Sequence, residues 1–314
     1  MSSSPLRADS TSCSYKKSKL IIVSMSESPQ VLVQRPPTFD FMDELLSRNF
    51  PILTTHHTSS APLLNSLSRQ ASSSIRVVVN MAMLKLDADL LSHLPSLQLL
   101  VCTSVGTEHI DLAECKRRGI AVTNAGEAFS EDVADCAVGL LISVLRKIPA
   151  ADRYVRSGKW VKFGEFQLGI KLSGKRVGIL GLGSIGSLIA KRLEPFGCII
   201  SYNSTSQKQS IPYQYYPDAL GKKGVIINVG RGGLIDEKEM VKFLVDGVIG
   251  GAGLDVFEKE PGVPEELFGL DNVVLSPHAA MATPGSLKNI AQLTLANLKA
   301  FFSNQPLISP VRLD

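Results

Sequence analysis

Hydrophobic and polar positions alternate in short blocks that begin at residue 31. Compact apolar blocks have the length of buried strands, and the blocks between them place apolar residues along one side of a helix. The predicted strands are VLVQR (31–35), IRVVVN (75–80), LQLLVCTS (97–104) and IAVT (120–123), and the predicted helices are 39–48, 87–94 and 110–118. Strands that alternate with helices predict a parallel α/β sheet in this part of the chain.

A long helix is predicted after this first series of elements. Ser130 has the residue type of an N-cap. The other markers are acids in the first turn, an apolar face and bases at the end: Glu131, Asp132, Val133, Val138, Leu141, Leu145, Arg146 and Lys147. We expect this helix to link two domains. Residues 154–174 are predicted to form a loop-rich bridge, in which Trp160 fits either the core or the wall of a substrate site.

The stretch KRVGILGLGSIGSLIAKRLE (175–194) predicts a buried strand that turns on glycines into a helix. Its glycines, at Gly181, Gly183 and Gly186, have the spacing GxGxxG of a dinucleotide site. In that order, they permit a tight turn, the approach of a pyrophosphate and close packing of the helix on the strand. The backbone N–H groups at the start of the helix, at Ser184 and Ile185, attract the anion. The alternative is an ordinary glycine turn.

The next predicted strand, 198–202, ends where the adenosine ribose of a bound dinucleotide is expected. NAD enzymes usually carry Asp or Glu at this point, but here Tyr202, Asn203, Ser204 and Thr205 follow one another without an acid. A cofactor with a 2′-phosphate is therefore not repelled. The remaining pattern predicts strands at 225–228, 251–257 and 273–278 and helices that start at Asp236 and at Ser286.

One segment of this second series is too short for the predicted fold. Only 22 residues separate Tyr202 from Val225, and they hold Pro212 and Pro217 without helical periodicity. A doubly wound sheet needs helix, strand and helix there. We therefore expect a part of this sheet to be missing from the chain.

Composition and charge narrow the classes of function. The 314 residues are 44% hydrophobic and 20% charged, with a net charge of +4 and scattered bases, so neither a membrane nor nucleic acid is an expected partner. Five cysteines without a CxxC pair indicate reduced thiols, and the histidines have no metal-ligand spacing, so no metal is expected. Residues 1–28 are typical of a disordered extension or an organelle transit peptide. We expect a cytoplasmic protein, or a chloroplast or mitochondrial one if 1–28 is a transit peptide; the C-terminal VRLD is not a peroxisomal signal.

Four ionisable residues follow strands of the second series or lie in the loops between them: Arg231, Asp255, Glu260 and His278. Reduction of a 2-keto acid needs a cation for the carboxylate, a proton donor for the carbonyl oxygen and a group that keeps that donor charged. Arg231, His278 and Glu260 match these needs in that order, since Arg pairs with a carboxylate through two bonds and Glu favours a charged imidazole. Taken singly, Glu260 also fits a solvated loop and Arg231 the surface.

The sequence resembles the D-isomer-specific 2-hydroxyacid dehydrogenases over residues 30–314, through NVGRGGLIDE, GGAGLDVFEKEP and LSPH. Within that family it is most similar to plant glyoxylate/hydroxypyruvate and hydroxyphenylpyruvate reductases, through VCTSVGTEHIDL, FSEDVADCAVGLLI, RYVRSGKW and ELFGLDNVVLSPH. The resemblance implies that His278 is the general acid, Glu260 orients it and Arg231 binds substrate. It also implies that Val105 and Gly106 offer amides to the substrate carboxylate and that Asp255 holds the nicotinamide end of the cofactor.

The implied fold is α/β: a doubly wound parallel (Rossmann) sheet that lacks one strand–helix unit, with a second, smaller flavodoxin-like domain. Compared with the family this chain resembles, the missing unit has about thirty residues, and its join lies at 218–221. The substrate domain would span 29–126 and 285–314, and the dinucleotide domain 127–284. The cofactor residues expected from the motifs and the resemblance are Gly181, Gly183, Ser184, Ile185, Gly186, Ser204, Thr205, Lys208, Val229, Gly230, Arg231, Asp255 and His278.

The implied activity is reduction of a small 2-keto acid, glyoxylate or hydroxypyruvate and also hydroxyphenylpyruvate, by a homodimer built on the dinucleotide domains. NADPH is the expected cofactor and NADH the alternative. NADPH-preferring relatives carry Ser-Arg-Ser where this chain has Ser204-Thr205-Ser206, so Lys208 replaces the missing guanidinium only in part. The alternative function is a catalytically impaired NAD(P)-binding dimer partner or a corepressor-like sensor of the same fold.

Overall fold

The structure, a computed structural model, describes residues 21–22, 30–57, 59–81, 84–209, 211–215 and 224–313. The chain divides into two compact units: unit one is Met1–Gly126 with Ala291–Asp314, and unit two is Glu127–Ile290. These units change over at 126/127 and 290/291, and the predicted substrate and dinucleotide domains change over at 126/127 and 284/285. The predicted extension 1–28 and the join at 218–221 lie outside the described residues, apart from 21–22.

Unit one alternates strands and helices along the chain. Its strands are β1 Ile21–Ile22, β2 Val31–Gln34, β3 Ile52–Thr55, β4 Val77–Asn80, β5 Leu99–Cys102 and β6 Ala121–Thr123. Its helices are α1 Phe41–Ser47, α2 Ser60–Ser66, α3 Arg69–Ser74, α4 Ala88–Ser92 and α5 Leu112–Arg118. The N-caps of α4 and α5 are aspartates, Asp87 and Asp111, whose side chains accept hydrogen bonds from backbone N–H groups of the first turn.

These strands form one sheet in the order β1-β3-β2-β4-β5-β6, parallel except for β1. Without β1 this is the flavodoxin-like order, in which the chain starts inside the sheet and winds to both sides. The central strands are buried on both faces, because one apolar cluster contains Leu32 and Val78 while another contains Val31 and Val77. The predicted flavodoxin-like α/β fold is confirmed for this unit.

Unit two begins with three helices and then returns to alternating elements. Its helices are α6 Ser130–Arg146, α7 Ile148–Arg156, α8 Lys159–Phe163, α9 Ser184–Leu193, α10 Glu237–Val245 and α11 Pro284–Phe302, the last of which continues into unit one. Its strands are β7 Arg176–Leu180, β8 Ile199–Asn203, β9 Gln214–Tyr215, β10 Val225–Asn228, β11 Gly251–Leu254 and β12 Val273–Leu275. Asp236 caps α10, as predicted, by accepting a hydrogen bond from the N–H of Glu239.

The strands of unit two form two separate parallel sheets among the described residues, in the orders β9-β8-β7 and β10-β11-β12. No pairing joins β7 to β10 within the described part of the chain. Helix α6 packs against both sheets, since Ile142 lies against the cluster around Ile179 while Val144 lies beside Gly251. The order is that of a doubly wound sheet from which a strand between β7 and β10 has been removed.

One face of the β7–β9 sheet is also uncovered. Ile179 and Ile200 are buried on the face toward the helices, whereas Leu180 is 68% and Ile199 60% exposed. Apolar side chains at alternate positions of a parallel strand are normally covered by helices on both sides. The open edge and the open face are therefore what a missing strand and helix would leave behind.

The structure corrects three details predicted from the sequence. Phe129 holds the N-cap position of α6, and Ser130 is instead the first helical residue and is buried. The predicted loop 154–174 contains the end of α7 and all of α8. Trp160 in α8 is 59% exposed, so it is not a core residue. A fourth difference is an omission, because β3 was not predicted.

None of the described helices has both the length and the apolar character needed to cross a bilayer. No group of three or more His, Cys, Asp or Glu side chains within the described ranges is placed to hold a metal ion.

Candidate active site

The glycine turn after β7 has the geometry that a dinucleotide phosphate requires. Gly181 has a φ of +88°, which suits glycine, and it redirects the chain from β7 toward α9. A Cβ atom on Gly186 would lie 2.0 Å from the carbonyl oxygen of Gly181, so the strand and the helix approach too closely for any other residue. A Cβ on Gly183 would meet nothing within 4 Å. The turn therefore fits a pyrophosphate, with open space above Gly183 and the start of α9 behind it.

The end of β8 lacks an acid, as the sequence predicts, and its polar side chains mostly bond to its own loop. The Ser204 hydroxyl donates to the carbonyl of Ser206 at 2.6 Å, and Thr205 is exposed. The ammonium of Lys208 donates to the carbonyl oxygen of Leu182 inside the glycine turn. Lys208 thus places its charge beside the predicted pyrophosphate, whereas the sequence predicted that it would read the 2′-phosphate.

The loop after β10 positions Arg231. Asn228, the last residue of the strand, accepts from the N–H of Gly230 at 3.1 Å and donates to the carbonyl of Arg231 at 2.9 Å. These bonds fix the loop that contains Val229 and Gly230. The half-buried Arg231 guanidinium donates to the carbonyl of Gly230 at 2.8 Å. A cationic fork is therefore held at the carboxyl end of this sheet, where ligands of parallel sheets bind.

The carboxylate of Glu260 and the imidazole of His278 are paired. Nδ1 of His278 lies 2.6 Å from Oε2 of Glu260, and the two side chains are 36% and 34% exposed. Oε1 of Glu260 accepts from the backbone N–H of Phe257 at 3.0 Å, which orients the carboxylate. A protonated Nδ1 therefore donates a hydrogen bond to the Glu260 carboxylate. Nε2 is the ring nitrogen that is left to exchange a proton with a ligand. The sequence predicted that Glu260 orients His278, and the structure brings the two together.

Asp255 anchors the loop that carries His278. Asp255 is 1% exposed, and its carboxylate accepts hydrogen bonds from the Ser276 hydroxyl and from the N–H groups of Ala279 and Ala280, at 2.8 and 3.0 Å for the two amides. His278 itself has a φ of +53°, an uncommon conformation for a side chain with a Cβ. Its N–H donates to the carbonyl of Asp255 at 2.8 Å. The contact of Asp255 with a nicotinamide stays a prediction.

Sequence reasoning missed the residues that support these groups. The Ser276 hydroxyl and the Phe257 amide hold the two carboxylates in place, and neither carries a signal of its own. Gly232 was assigned no role, although a Cβ there would lie 2.0 Å from the backbone of Phe257. Its place in the GRGG run was the one available signal. The loops of Arg231 and Glu260 are thus packed against each other.

Val105 and Gly106 belong to unit one, in the turn that follows β5. The Ser104 hydroxyl donates to the carbonyl of Gly106 at 2.7 Å, and the Asn124 amide donates to the carbonyl of Val105 at 2.9 Å. Both carbonyls therefore have partners within unit one. That the amides of this turn bind a substrate carboxylate stays a prediction.

Comparison with known families assigns the chain to a class of enzyme. It belongs to the D-isomer specific 2-hydroxyacid dehydrogenases, because the catalytic domain of that family matches residues 32–312. The predicted family, the α/β fold class and an NAD(P)-dependent oxidoreductase activity are confirmed.

Two relatives and one solved structure show which members of this family the chain is similar to. The chain is 66% identical to the glyoxylate/hydroxypyruvate reductase HPR3 of Arabidopsis thaliana, over 92% of this chain and 99% of that protein. It is 43% identical to the hydroxyphenylpyruvate reductase of Plectranthus scutellarioides, over 88% and 96%. A solved structure of the NADPH-dependent glyoxylate/hydroxypyruvate reductase from Sinorhizobium meliloti, in complex with NADP and malonate, matches with a TM-score of 0.83 and 33% identity, over 91% of this chain and 98% of that one.

The alignments also measure the missing segment. The alignment with the Arabidopsis protein has 320 positions but uses only 92% of 314 residues, about 289, so about thirty positions have no residue in this chain. The alignment with the Plectranthus protein has 306 positions and uses 88%, about 276, which again leaves about thirty. This is the length of one strand–helix unit. It agrees with the separation of β7 from β10.

Proposed function

We propose that this protein reduces glyoxylate and hydroxypyruvate to the corresponding 2-hydroxy acids with NADPH. The single observation that supports this most is the pair of His278 and Glu260, in which Nδ1 lies 2.6 Å from the carboxylate and Nε2 is left for a substrate. The named relatives, a plant and a bacterial glyoxylate/hydroxypyruvate reductase, support the substrates. The test is oxidation of NADPH, followed by its absorbance, with each keto acid in turn.

Each residue of the site has a distinct task in this reaction. The cofactor, when bound, supplies the hydride to the keto carbon. The guanidinium of Arg231 binds the substrate carboxylate and so fixes the carbonyl in one orientation. His278 gives a proton from Nε2 to the carbonyl oxygen as charge develops there, and Glu260 holds the imidazole in position. Asp255 keeps the His278 loop in place through its three hydrogen bonds.

Hydroxyphenylpyruvate is a second candidate substrate, because the chain is also similar to a hydroxyphenylpyruvate reductase. The residues assigned here to chemistry act on the keto acid portion that all three substrates share. Parallel measurement of kcat/KM for the three acids distinguishes them. A value for hydroxyphenylpyruvate that exceeds the other two by tenfold or more would make it the principal substrate.

A different candidate function is a catalytically impaired NAD(P)-binding partner of an intact relative. The observation that favours it is the uncovered face of the β7–β9 sheet, next to the predicted pyrophosphate site. This candidate predicts binding of NADPH without turnover of any of the three keto acids. The reductase proposal predicts turnover, even if slow.

Replacement of Thr205 by arginine is expected to tighten NADPH binding and to leave NADH binding nearly unchanged. Thr205 is exposed at the end of β8, and an arginine there supplies the planar cation that a 2′-phosphate prefers. The expected gain is about 1 to 2 kcal/mol, or roughly five- to thirtyfold in Kd. Titration calorimetry with both cofactors measures it. Thr205→Gln is the uncharged control, and equal gains for both cofactors would show that this position does not read the phosphate.

We also propose that the protein is a homodimer through α7, α8 and the segment that follows them. Large apolar side chains are concentrated there and exposed in the monomer: Ile148, Val155, Trp160, Val161, Phe163, Leu168 and Ile170. Val161 is 93% exposed. An apolar surface of this kind on a folded unit usually marks an interface with another protein.

Replacement of both Val161 and Phe163 by aspartate is therefore expected to convert a dimer into a monomer. Charge in the apolar centre of an interface is left without a partner and costs several kcal/mol. Light scattering after size exclusion should show a mass that falls from about 68 kDa, twice 33.8 kDa, to about 34 kDa. The control is Phe268→Asp, which charges an exposed aromatic side chain outside this segment. A mass near 34 kDa for the unaltered chain would contradict the proposal.

A further inference from the structure

The predicted pyrophosphate site already has an acidic neighbour. Oε1 of Glu127 accepts a hydrogen bond from the Ser184 hydroxyl at 2.6 Å. Ser184 is the first residue of α9 and follows Gly183, the glycine with open space above it. A carboxylate therefore lies where the turn is built to receive an anion.

The pair of Glu127 and Ser184 lies in a cleft that a dissolved ligand can enter. Glu127, Ser184 and Gly183 line one cleft of about 740 Å³ in unit two, together with Lys191 and Lys208. Glu127 and Ser184 are both exposed, so the pair is open to exchange with a dissolved ligand. A charge-assisted O–H bond to a carboxylate contributes more than one to a neutral acceptor. A pyrophosphate that takes the same hydroxyl has to displace that carboxylate.

We propose that Glu127 competes with the cofactor for the start of α9 and so lowers the affinity for every dinucleotide. The inference rests on the proposed function, since it concerns the same cofactor site. One hydroxyl proton cannot serve two anions, and two anions at this distance repel each other. The dinucleotide binds when the Glu127 side chain turns away from Ser184. Because the pyrophosphate is common to both cofactors, Glu127 affects NADPH and NADH alike, whereas position 205 is expected to distinguish them.

The variant that tests this is Glu127→Gln, which keeps the shape of the side chain and removes its charge. It is expected to lower the Kd of NADPH and of NADH by the same factor, three- to tenfold, in titration calorimetry. The matched control is Glu131→Gln, which removes an exposed carboxylate of the same cleft that has no bond to Ser184 among the described contacts. We expect it to change either Kd by less than twofold. Thermal unfolding of each variant checks that the fold is kept.

A second variant tests whether Glu127 acts through the Ser184 hydroxyl. In a chain with Ser184→Ala the contested donor is gone, so Glu127→Gln should then change the Kd by a clearly smaller factor than in the unaltered chain.

An unchanged or weaker affinity in Glu127→Gln would overturn the inference, since a weaker one makes Glu127 a ligand of the cofactor. If keto acid reduction is normal while Glu127→Gln has no effect, the inference fails and the proposed function stands. If neither the unaltered chain nor the variant binds a dinucleotide, both fail.

Discussion

Replacement of His278 by asparagine is expected to slow the reduction of hydroxypyruvate by about 100-fold or more. Asparagine keeps a polar side chain of similar reach but has no proton to give near neutral pH. The substitution acts on kcat because the proton is needed only as the carbonyl oxygen gains charge. The measurement is the steady-state oxidation of NADPH over a range of hydroxypyruvate concentrations.

Two comparisons make this result specific. NADPH binding should change little in the variant, since the phosphates are expected at the glycine turn and the start of α9. His93→Asn is the control, because His93 is an exposed residue directly after α4 in unit one and its Nδ1 lies 2.8 Å from the carbonyl oxygen of Asp89. Near-normal turnover with His278→Asn, or an equal loss with His93→Asn, would contradict the role of His278 as proton donor.

Insertion of the missing strand–helix unit of a relative at 218–221 is expected to raise the melting temperature by about 5 to 10 °C. Leu180 and Ile199 are more than half exposed, and covering such a side chain contributes about 1.5 to 3 kcal/mol when burial is complete. For a unit of this size, a change of 1 kcal/mol in the free energy of unfolding shifts the melting temperature by roughly 2 to 4 °C. The inserted unit should also increase the thermal shift on addition of NADPH, because it supplies the wall that faces the glycine turn.

The control for the insertion is a Gly/Ser segment of equal length at the same point. It lengthens the chain without adding an apolar strand, so it should lower the melting temperature slightly or leave it unchanged. A parent chain that already melts cooperatively at the temperature of the inserted chain, with an equal shift on NADPH, would show that the sheet is not damaged.

Much of the fold follows from apolar periodicity, and the exceptions have physical causes. The strands that hold Val31, Val77 and Leu99 are continuous apolar runs, so they were predicted within two or three residues of their bounds. Strand β3 was missed because half of it is threonine, which is polar in the sequence although Thr54 and Thr55 are buried. The N-cap of α6 was displaced by one residue, which is a common uncertainty of helix ends.

The candidate site was predictable where residue type alone defines the chemistry. A histidine, an arginine and a glutamate in the loops after parallel strands form a set that is typical of a catalytic site. Glycines in the spacing GxGxxG are likewise typical of a dinucleotide site. The bonds to Asp255 and the approach of Glu127 to Ser184 were not predictable, because they join residues 21 to 57 positions apart in the chain. Such pairs depend on how loops fold over the sheet ends, which apolar periodicity does not encode.

Transfer of deuterium from the cofactor tests the proposed reaction most directly. The unaltered chain is incubated with hydroxypyruvate and NADPH that carries two deuterium atoms at C4 of the nicotinamide, and the product is examined by mass spectrometry and chiral chromatography. The family and the His278–Glu260 pair predict D-glycerate with one deuterium at C2, formed at a rate that falls about 100-fold or more with His278→Asn. Product without deuterium, or no product while NADPH remains bound, would contradict hydride transfer by this site, and the L isomer would contradict the stereochemistry expected of the family.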